Sequence, residues 1–289
     1  MKIFIPTVNR VDNQITYEGL PDSLKKKVVF VVQEWEREKY TYDAEYLVLP
    51  PHITLDNYLA IAMTRKEIYY AGADEKYAVL DDDIVFRRRN EKYWTGISNM
   101  EKSKRLATHE DIIDMFNMFS QWLDEEDVSM CGCSFAGNSP TRKEFAKGTS
   151  QGGVYWINGP DFAHLLDELP LEEVKTGEDT LFILSLLSRG YANKVSQEFV
   201  IDNHSVLDKN ISSDIWDSQS LQDTERDHLI IHRIFPRFYE LLYEEVYNES
   251  GIRVSGGFRN AGKTKTHWQK AYKEGYDKRF KADLMCFTN

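Results

Sequence analysis

The chain has 289 residues, 42% hydrophobic, 13% aromatic and 29% charged, enough to bury a substantial core and to exclude global disorder. No stretch reaches the ~18 consecutive apolar residues needed to span a bilayer, and the run Met1–Pro6 is too short for a secretory signal core. Three cysteines cannot build a disulfide framework and the odd count fits a reducing compartment, so composition predicts a soluble cytoplasmic protein.

The elements alternate. Residues 2–6 and 27–33 read as buried strands rich in β-branched residues, and 46–49 as a third strand stopped by Pro50 and Pro51. Residues 55–71 carry Leu55, Leu59, Met63 and Ile68 near helical spacing, with Gly72 as a stop. Residues 77–86 are an apolar strand, three aspartates and a second apolar stretch. Residues 109–124 predict an amphipathic helix with Ile112, Ile113, Phe116, Phe119 and Leu123 on one face and Thr108 as cap. A strand over 153–157, a turn at Asn158-Gly159 and a helix opened by Pro160 follow. Residues 180–188 are hydrophobic all round and predict a buried helix; 195–201 read as a last strand and 213–248 as helical. This alternation implies an α/β fold with a mostly parallel central sheet flanked by helices. Its sites are expected beyond the carboxyl ends of the strands. The expected organisation is one large domain, 1–208, and a helical, basic C-terminal extension, 209–289.

Charge is uneven. Against a net charge of −11, residues 251–289 carry nine basic and three acidic side chains, so the tail is +6 and the remainder −17. Arg253, Arg259, Lys263, Lys265 and Lys270 alternate with Phe258, His267, Trp268 and Tyr272. Such a pattern suits a polyanion with an exposed base, or equally a solvated helix.

Three acidic or metal-type features stand at predicted element ends. Asp81-Asp82-Asp83 follows the strand Tyr77–Leu80. Three adjacent carboxylates repel unless a cation sits among them, and Mg²⁺ and Mn²⁺ prefer such oxygens; a solvated turn with one capping aspartate uses the same letters. Thr176-Gly177-Glu178-Asp179 opens the buried helix. Thr176 and Asp179 have capping-box spacing, while a carboxylate at a helix N-terminus can also serve as a base. His204, just past Ile201, is a candidate third metal ligand or a structural histidine.

Other motifs compete. Gly257 to Thr264 matches the P-loop letters G-x4-G-K-[ST], with 252–255 and 266–274 as the required strand and helix, but only 25 residues follow Thr264. The segment reads better as a basic loop whose amides and Lys263 meet phosphates. Cys131-x-Cys133 with Cys286 suggests zinc or, more simply, buried thiols. Arg87-Arg88-Arg89 reads as a charged loop after a strand or as a phosphate contact. Trp35 and the tyrosines of 40–46 read as core and surface aromatics.

Taken in order, IPTVNR at 5–10, the helix from Ala60 to Arg65, VLDDD at 79–83, a Gly-rich acceptor strand, GED at 177–179 and late His204 resemble the GT-A fold of nucleotide-sugar glycosyltransferases over residues 1–205. The resemblance implies that Thr7, Asn9, Arg10 and Arg65 hold the donor, with Asp81 and Asp82; the basic loop adds Lys263 as a contact to its phosphates. It implies that Asp81, Asp83 and His204 hold Mn²⁺ or Mg²⁺, and that Asp179, beside Glu178, is the catalytic base. Gly152 and Gly153 would admit the acceptor closely, with Arg253, Arg259, Lys265 and Trp268 as further acceptor contacts. The compact build with its basic tail is similar to phage and TET/JBP-associated glycosyltransferases that modify 5-hydroxymethylpyrimidines in DNA. Hence the expected reaction is transfer from a UDP-sugar, UDP-glucose foremost, to DNA. The alternatives are a carbohydrate or protein acceptor, a P-loop kinase, or a DNA-binding module without catalysis.

Overall fold

The computed structural model describes residues 1–54, 60–90, 104–138, 144–163, 165, 168–175, 177–203, 221–242, 245–247, 250, 253–256 and 264–281. Its centre is a ten-stranded sheet in the order β3-β2-β1-β4-β9-β7-β10-β5-β6, with β8 pairing β10. The strands are β1 (Lys2–Pro6), β2 (Val28–Val32), β3 (Glu45–Val48), β4 (Lys76–Leu80), β5 (Ile84–Arg89), β6 (Lys104–Leu106), β7 (Val128–Phe135), β8 (Phe145–Lys147), β9 (Val154–Asn158) and β10 (Ala192–Asn203). β3, β2, β1 and β4 are mutually parallel. β9 runs against β4 and β7, so β7 and β10 point the same way as the first four. The carboxyl ends of β1, β4, β7 and β10 therefore share one rim, which ends in Thr7, Asp81, Phe135 and Asn203.

Both faces of the sheet are covered, which is why β2 and β4 read as unbroken apolar runs. One face carries α1 (Ile15–Gly19), α2 (Asp22–Lys25) and, after α3 (Ala60–Ala71) on the other face, α4 (His109–Trp122). The opposite face carries α3, α5 (Gly159–Ala163) and α6 (Glu178–Leu187), in which every residue from Leu181 to Leu187 is buried. α4 begins with a complete capping box: the Asp111 amide donates to Thr108 and the Thr108 amide to Asp111. Arg88 and Arg105 add two ion pairs to Asp111, which joins α4 to β5 and β6.

The elements differ from expectation in four places. Gly159 starts α5 directly, with no turn between strand and helix. Arg87, Arg88 and Arg89 are not a loop: they lie in β5, paired with Asp202, with Glu198 and Asp111, and with the carbonyls of Gln197 and Asn138. Helix covers only α7 (Leu221–Ile234) of the predicted 213–248; β11 (Tyr239–Leu241) and β12 (Glu245–Tyr247) follow, and 213–220 lie outside the described residues. The helix stops before Pro236, whose ring and missing amide bar its continuation, and Phe238 and Tyr239 enter the core at the start of β11. Finally, β13 (Arg253–Gly256) pairs with β12, and β14 (Thr264–Thr266) pairs with β11 before α8 (Trp268–Tyr276) begins. A P-loop requires helix to start at its Lys-Thr, and here Thr264 is strand, so that motif is excluded.

The described C-terminal elements feed the same core through Ile231, Phe235, Phe238, Tyr239 and Ala271. Cys131 and Cys133 are buried free thiols; Cys286 lies outside the described residues. Among those residues, no helix is long and apolar enough to cross a membrane. The Arg105 and Arg88 guanidiniums and the Thr108 cap hold the Asp111 carboxyl well below its ordinary 3.8. A depressed pKa contributes stability above 3.8 that disappears as pH falls below it. Asp111→Asn is therefore expected to cost about 2 kcal/mol at pH 7, with the gap from the parent closing in urea unfolding at acid pH.

Candidate active site

The rim is built around the Asp81–Asp83 turn. Thr16 clamps its backbone: its hydroxyl donates to the Asp81 carbonyl at 2.5 Å and accepts from the Ile84 amide at 2.8 Å, while its amide donates to the Asp82 carbonyl at 3.0 Å. The Asp81 amide donates to the Gly153 carbonyl at 3.0 Å, stitching the turn to the strand beside it.

The three carboxylates have different fates. Asp82 turns inward and accepts from the Thr7 hydroxyl at 2.6 Å and from Arg10. Buried Gln14 donates to both the Thr7 hydroxyl and the Arg10 carbonyl at 2.8 Å. Burial pushes Asp82 up to about 7, against the pull of Arg10 and Thr7. Thr7 and Asp82, expected to hold the donor, are hydrogen-bonded to each other, which ties the first loop to the turn. Arg10 also lies 3.5 Å from Asp83. Asn9 takes a left-handed conformation, φ 57°, and its amide donates to Glu36 at 2.7 Å, so it shapes the loop.

Asp81 remains partly exposed and accepts from Arg65 at 2.5 Å. Arg65 is buried on α3, its guanidinium 5.7 Å from the centre of the Tyr155 ring, and among the described residues its Nη1 has no hydrogen-bond partner. Asp81 keeps this guanidinium charged despite burial, and Asp179 contributes to the same field. Glu178 and Asp179 open α6 together. Gly177 precedes them at φ 85°, with no side-chain cap, so the capping-box reading of Thr176 and Asp179 is replaced by a left-handed glycine; Thr176 itself lies outside the described residues. Both carboxylates keep some surface yet are closely surrounded by protein. Enclosure raises both; repulsion between the pair adds to Glu178, while Arg65 pulls both down. The Tyr155 hydroxyl faces Asp179 and lowers it, without completing a hydrogen bond of good geometry.

Gly152 and Gly153 join the two acidic centres. A Cβ on Gly153 would lie 3.6 Å from Asp81 Oδ2, and one on Gly152 3.6 Å from Asp179 Oδ2. The two glycines thus lie between the aspartate turn and the Asp179 carboxylate. Asp81 and Asp83 offer hard oxygen ligands at the rim, though among the described residues no three His, Cys, Asp or Glu side chains are placed so as to hold one metal ion together. His204 lies outside them; its neighbour Asn203 pairs with Ile84, so β10 ends beside the turn.

Among the described tail residues, the helix that carries Trp268 and Tyr272 packs away from this rim. Lys265 stands exposed on β14 opposite Glu240. Trp268 is partly buried against the core. Its helix is anchored where strands begin: Gln269 donates to the Gly148 carbonyl at 2.8 Å, Tyr272 to Asp127 at 2.5 Å, and Gly275 abuts Leu187. That is the end of the sheet opposite Asp81, so Trp268 and Tyr272 are packing residues. Arg253 is in β13; Arg259 and Lys263 lie outside the described residues. Sequence reasoning missed Gln14, Thr16, Tyr155 and Phe135, none of which bears a motif; only their places near strand ends could have marked them.

The TET-Associated Glycosyltransferase family matches residues 1–210. None of the curated proteins matches the chain significantly. Solved structures resemble it distantly. Mannose-1-phosphate geranyltransferase from Thermus thermophilus is 13% identical, with 73% of this chain and 79% of that one covered, TM-score 0.41. A mycobacterial protein is 9% identical, with 94% and 88% covered, TM-score 0.42.

Removing one partner of a buried ion pair strands the other. Arg65→Met is expected to destabilise by about 3–5 kcal/mol, and Arg65→Met with Asp81→Asn to recover at least half of that in urea unfolding.

Proposed function

The chain belongs to the TET-Associated Glycosyltransferase family, and on that premise we propose that the rim transfers a sugar from a UDP-sugar to the hydroxymethyl group of a 5-hydroxymethylpyrimidine in DNA. The chain is a glycosyltransferase, and its family implies a nucleotide-sugar donor and an acceptor. Donor identity, metal use and DNA as acceptor are our reading.

What supports this reading is the pairing of Asp81 with Gly153 and of Asp179 with Gly152 along one short floor. A donor diphosphate and an acceptor hydroxyl would have to meet across such a span. Asp81 and Asp83, with His204, would hold Mn²⁺ or Mg²⁺, which when bound neutralises the leaving diphosphate. Arg65 orients Asp81 and offsets part of the rise that burial imposes on its carboxyl, and its Nη1, without a hydrogen-bond partner among the described residues, offers one more donor for an anionic oxygen. Arg10 fixes the loop that faces the donor. Asp179 accepts the acceptor's proton as the hydroxyl attacks, in the inverting form of the reaction. Glu178 shares the local proton affinity, and the Tyr155 hydroxyl steadies the ionised Asp179.

The decisive experiment incubates the protein with labelled UDP-glucose, Mn²⁺ or Mg²⁺, and DNA containing 5-hydroxymethylpyrimidine. Label should enter the DNA and be lost with Asp83→Asn or on chelation. Absence of label across several UDP-sugars would redirect the acceptor to carbohydrate or protein. Asp179→Asn should cut transfer at least about 100-fold with donor Kd unchanged; surviving transfer removes Asp179 as base. Because enclosure raises Asp179 above 3.8 and a base acts only when ionised, kcat/KM should climb with pH along a limb displaced above that value.

A further inference from the structure

The geometry points to Phe135 and Gly152 as a stacking subsite for the flat ring of the acceptor; the inference rests on the reading of Asp179 as the base. Phe135 ends β7 at the rim, half-buried, paired with Ile201 of β10. Its position is fixed from behind. The Ala136 amide donates to the Ile201 carbonyl at 2.8 Å, and buried Arg89 donates to the Asn138 carbonyl at 2.9 Å and the Gln197 carbonyl at 3.1 Å.

Gly152 faces this ring. Among the described residues, a Cβ there would meet Phe135 Cε2 at 3.4 Å, Asp179 Oδ2 at 3.6 Å and Phe135 Cζ at 3.7 Å. All three are ordinary contact distances, so packing does not forbid a side chain. The backbone does not require glycine either: Gly153 has φ 75°, whereas Gly152 is absent from the left-handed residues. A methyl group would fit the fold and would protrude into the wedge between an aromatic ring and the base carboxylate. What the missing side chain provides is room.

The chemistry of that wedge selects its occupant. One wall is the edge of the Phe135 ring, at Cε2 and Cζ, which favours a flat π-system set against it. The other is the Asp179 carboxylate, which accepts a hydroxyl proton. A ring carrying a hydroxymethyl group can stack on the first wall while its hydroxyl reaches the second. A pyrimidine in a duplex is already stacked and inaccessible, so the subsite takes a single-stranded or extruded base.

The test measures equilibrium binding of a single-stranded oligonucleotide with one 5-hydroxymethyluracil to the full chain without donor. Phe135→Leu should raise its Kd about 10-fold, as for loss of one base–aromatic stack, and Phe135→Tyr should keep it near the parent. Gly152→Ala should raise the Kd comparably with an unchanged thermal midpoint, which separates blocking from misfolding. The subsite is overturned if Phe135→Leu and Gly152→Ala bind the oligonucleotide as the parent does. It is overturned too if the parent does not bind it, or if the losses fall on UDP-glucose affinity instead. Binding needs no turnover, so a transfer-competent Asp179→Asn would refute the base assignment through a different measurement.

Discussion

The rim depends on charge balance more than on any other interaction. Asp81, Asp82, Asp83, Glu178 and Asp179 gather where the sheet ends, and the guanidiniums of Arg10 and Arg65 lie among them. Two unit charges ~4 Å apart interact by ~4 kcal/mol at an effective dielectric near ~20. The arginines offset part of the rise that burial and mutual repulsion impose on Asp81, Asp82, Glu178 and Asp179. The arginines also divide the cluster. Arg10 commits Asp82 to the interior, and Arg65 leaves Asp81 partly exposed while reaching the field of Asp179. Five carboxylates against two guanidiniums still leave an excess of negative charge wherever they ionise, and that excess is the demand a divalent cation would meet on the proposed reading.

The scaffold makes this concentration possible by bringing distant segments to one edge. Parallel strands with short exits place Thr7, Asp81 and Phe135 together, and the antiparallel β9 returns Gly152 and Gly153 between them. The base-bearing helix is held from outside: Asp227 of α7 accepts from the Lys175 amide at 3.0 Å, and Ile231 sits against Gly177. The segment after the sheet therefore helps set the direction in which Glu178 and Asp179 emerge, although no catalytic side chain on it is described. Gly177 is needed at this junction because its φ of 85° turns the chain into the helix.

Much of the architecture was legible because local and global preferences agree. The apolar runs of β1, β2 and β4 could only be buried strands, and the uniform hydrophobicity of α6 could only be a buried helix. Agreement failed where a segment has two uses: Phe238 and Tyr239 carry helical spacing but serve as core residues at the start of a strand. Within the site, the order of acidic motifs located the rim correctly, yet letters could not say which way Asp82 turns, since that is decided by Thr7 and Arg10 from 72 or more residues away. Nor could they separate Gly152 from Gly153, whose difference is a backbone angle. Phe135 was invisible for a similar reason: an aromatic at a strand end reads as core until its neighbour across the gap is known.

The described part of the basic tail is tied to the body of the protein. Nine cations among aromatics suited a polyanion or a solvated helix alike; Trp268 packs on the core, Tyr272 donates to Asp127, and Lys270 donates to the Arg237 carbonyl. These aromatics lie at the opposite end of the sheet from Asp81. On the proposed reading, a nucleic acid at the rim meets a chain whose residues 1–250 carry net charge −17, which weakens the attraction from phosphate contacts. Under the proposed reading, recognition must then come from terms that ignore the backbone charge: stacking of an extruded ring, a hydroxyl donated to a carboxylate, and a donor already bound beside it. Such an arrangement favours selectivity for the modified base over affinity for DNA as a polymer, because the acidic surroundings that weaken general binding are the same ones that ready Asp179 for its proton.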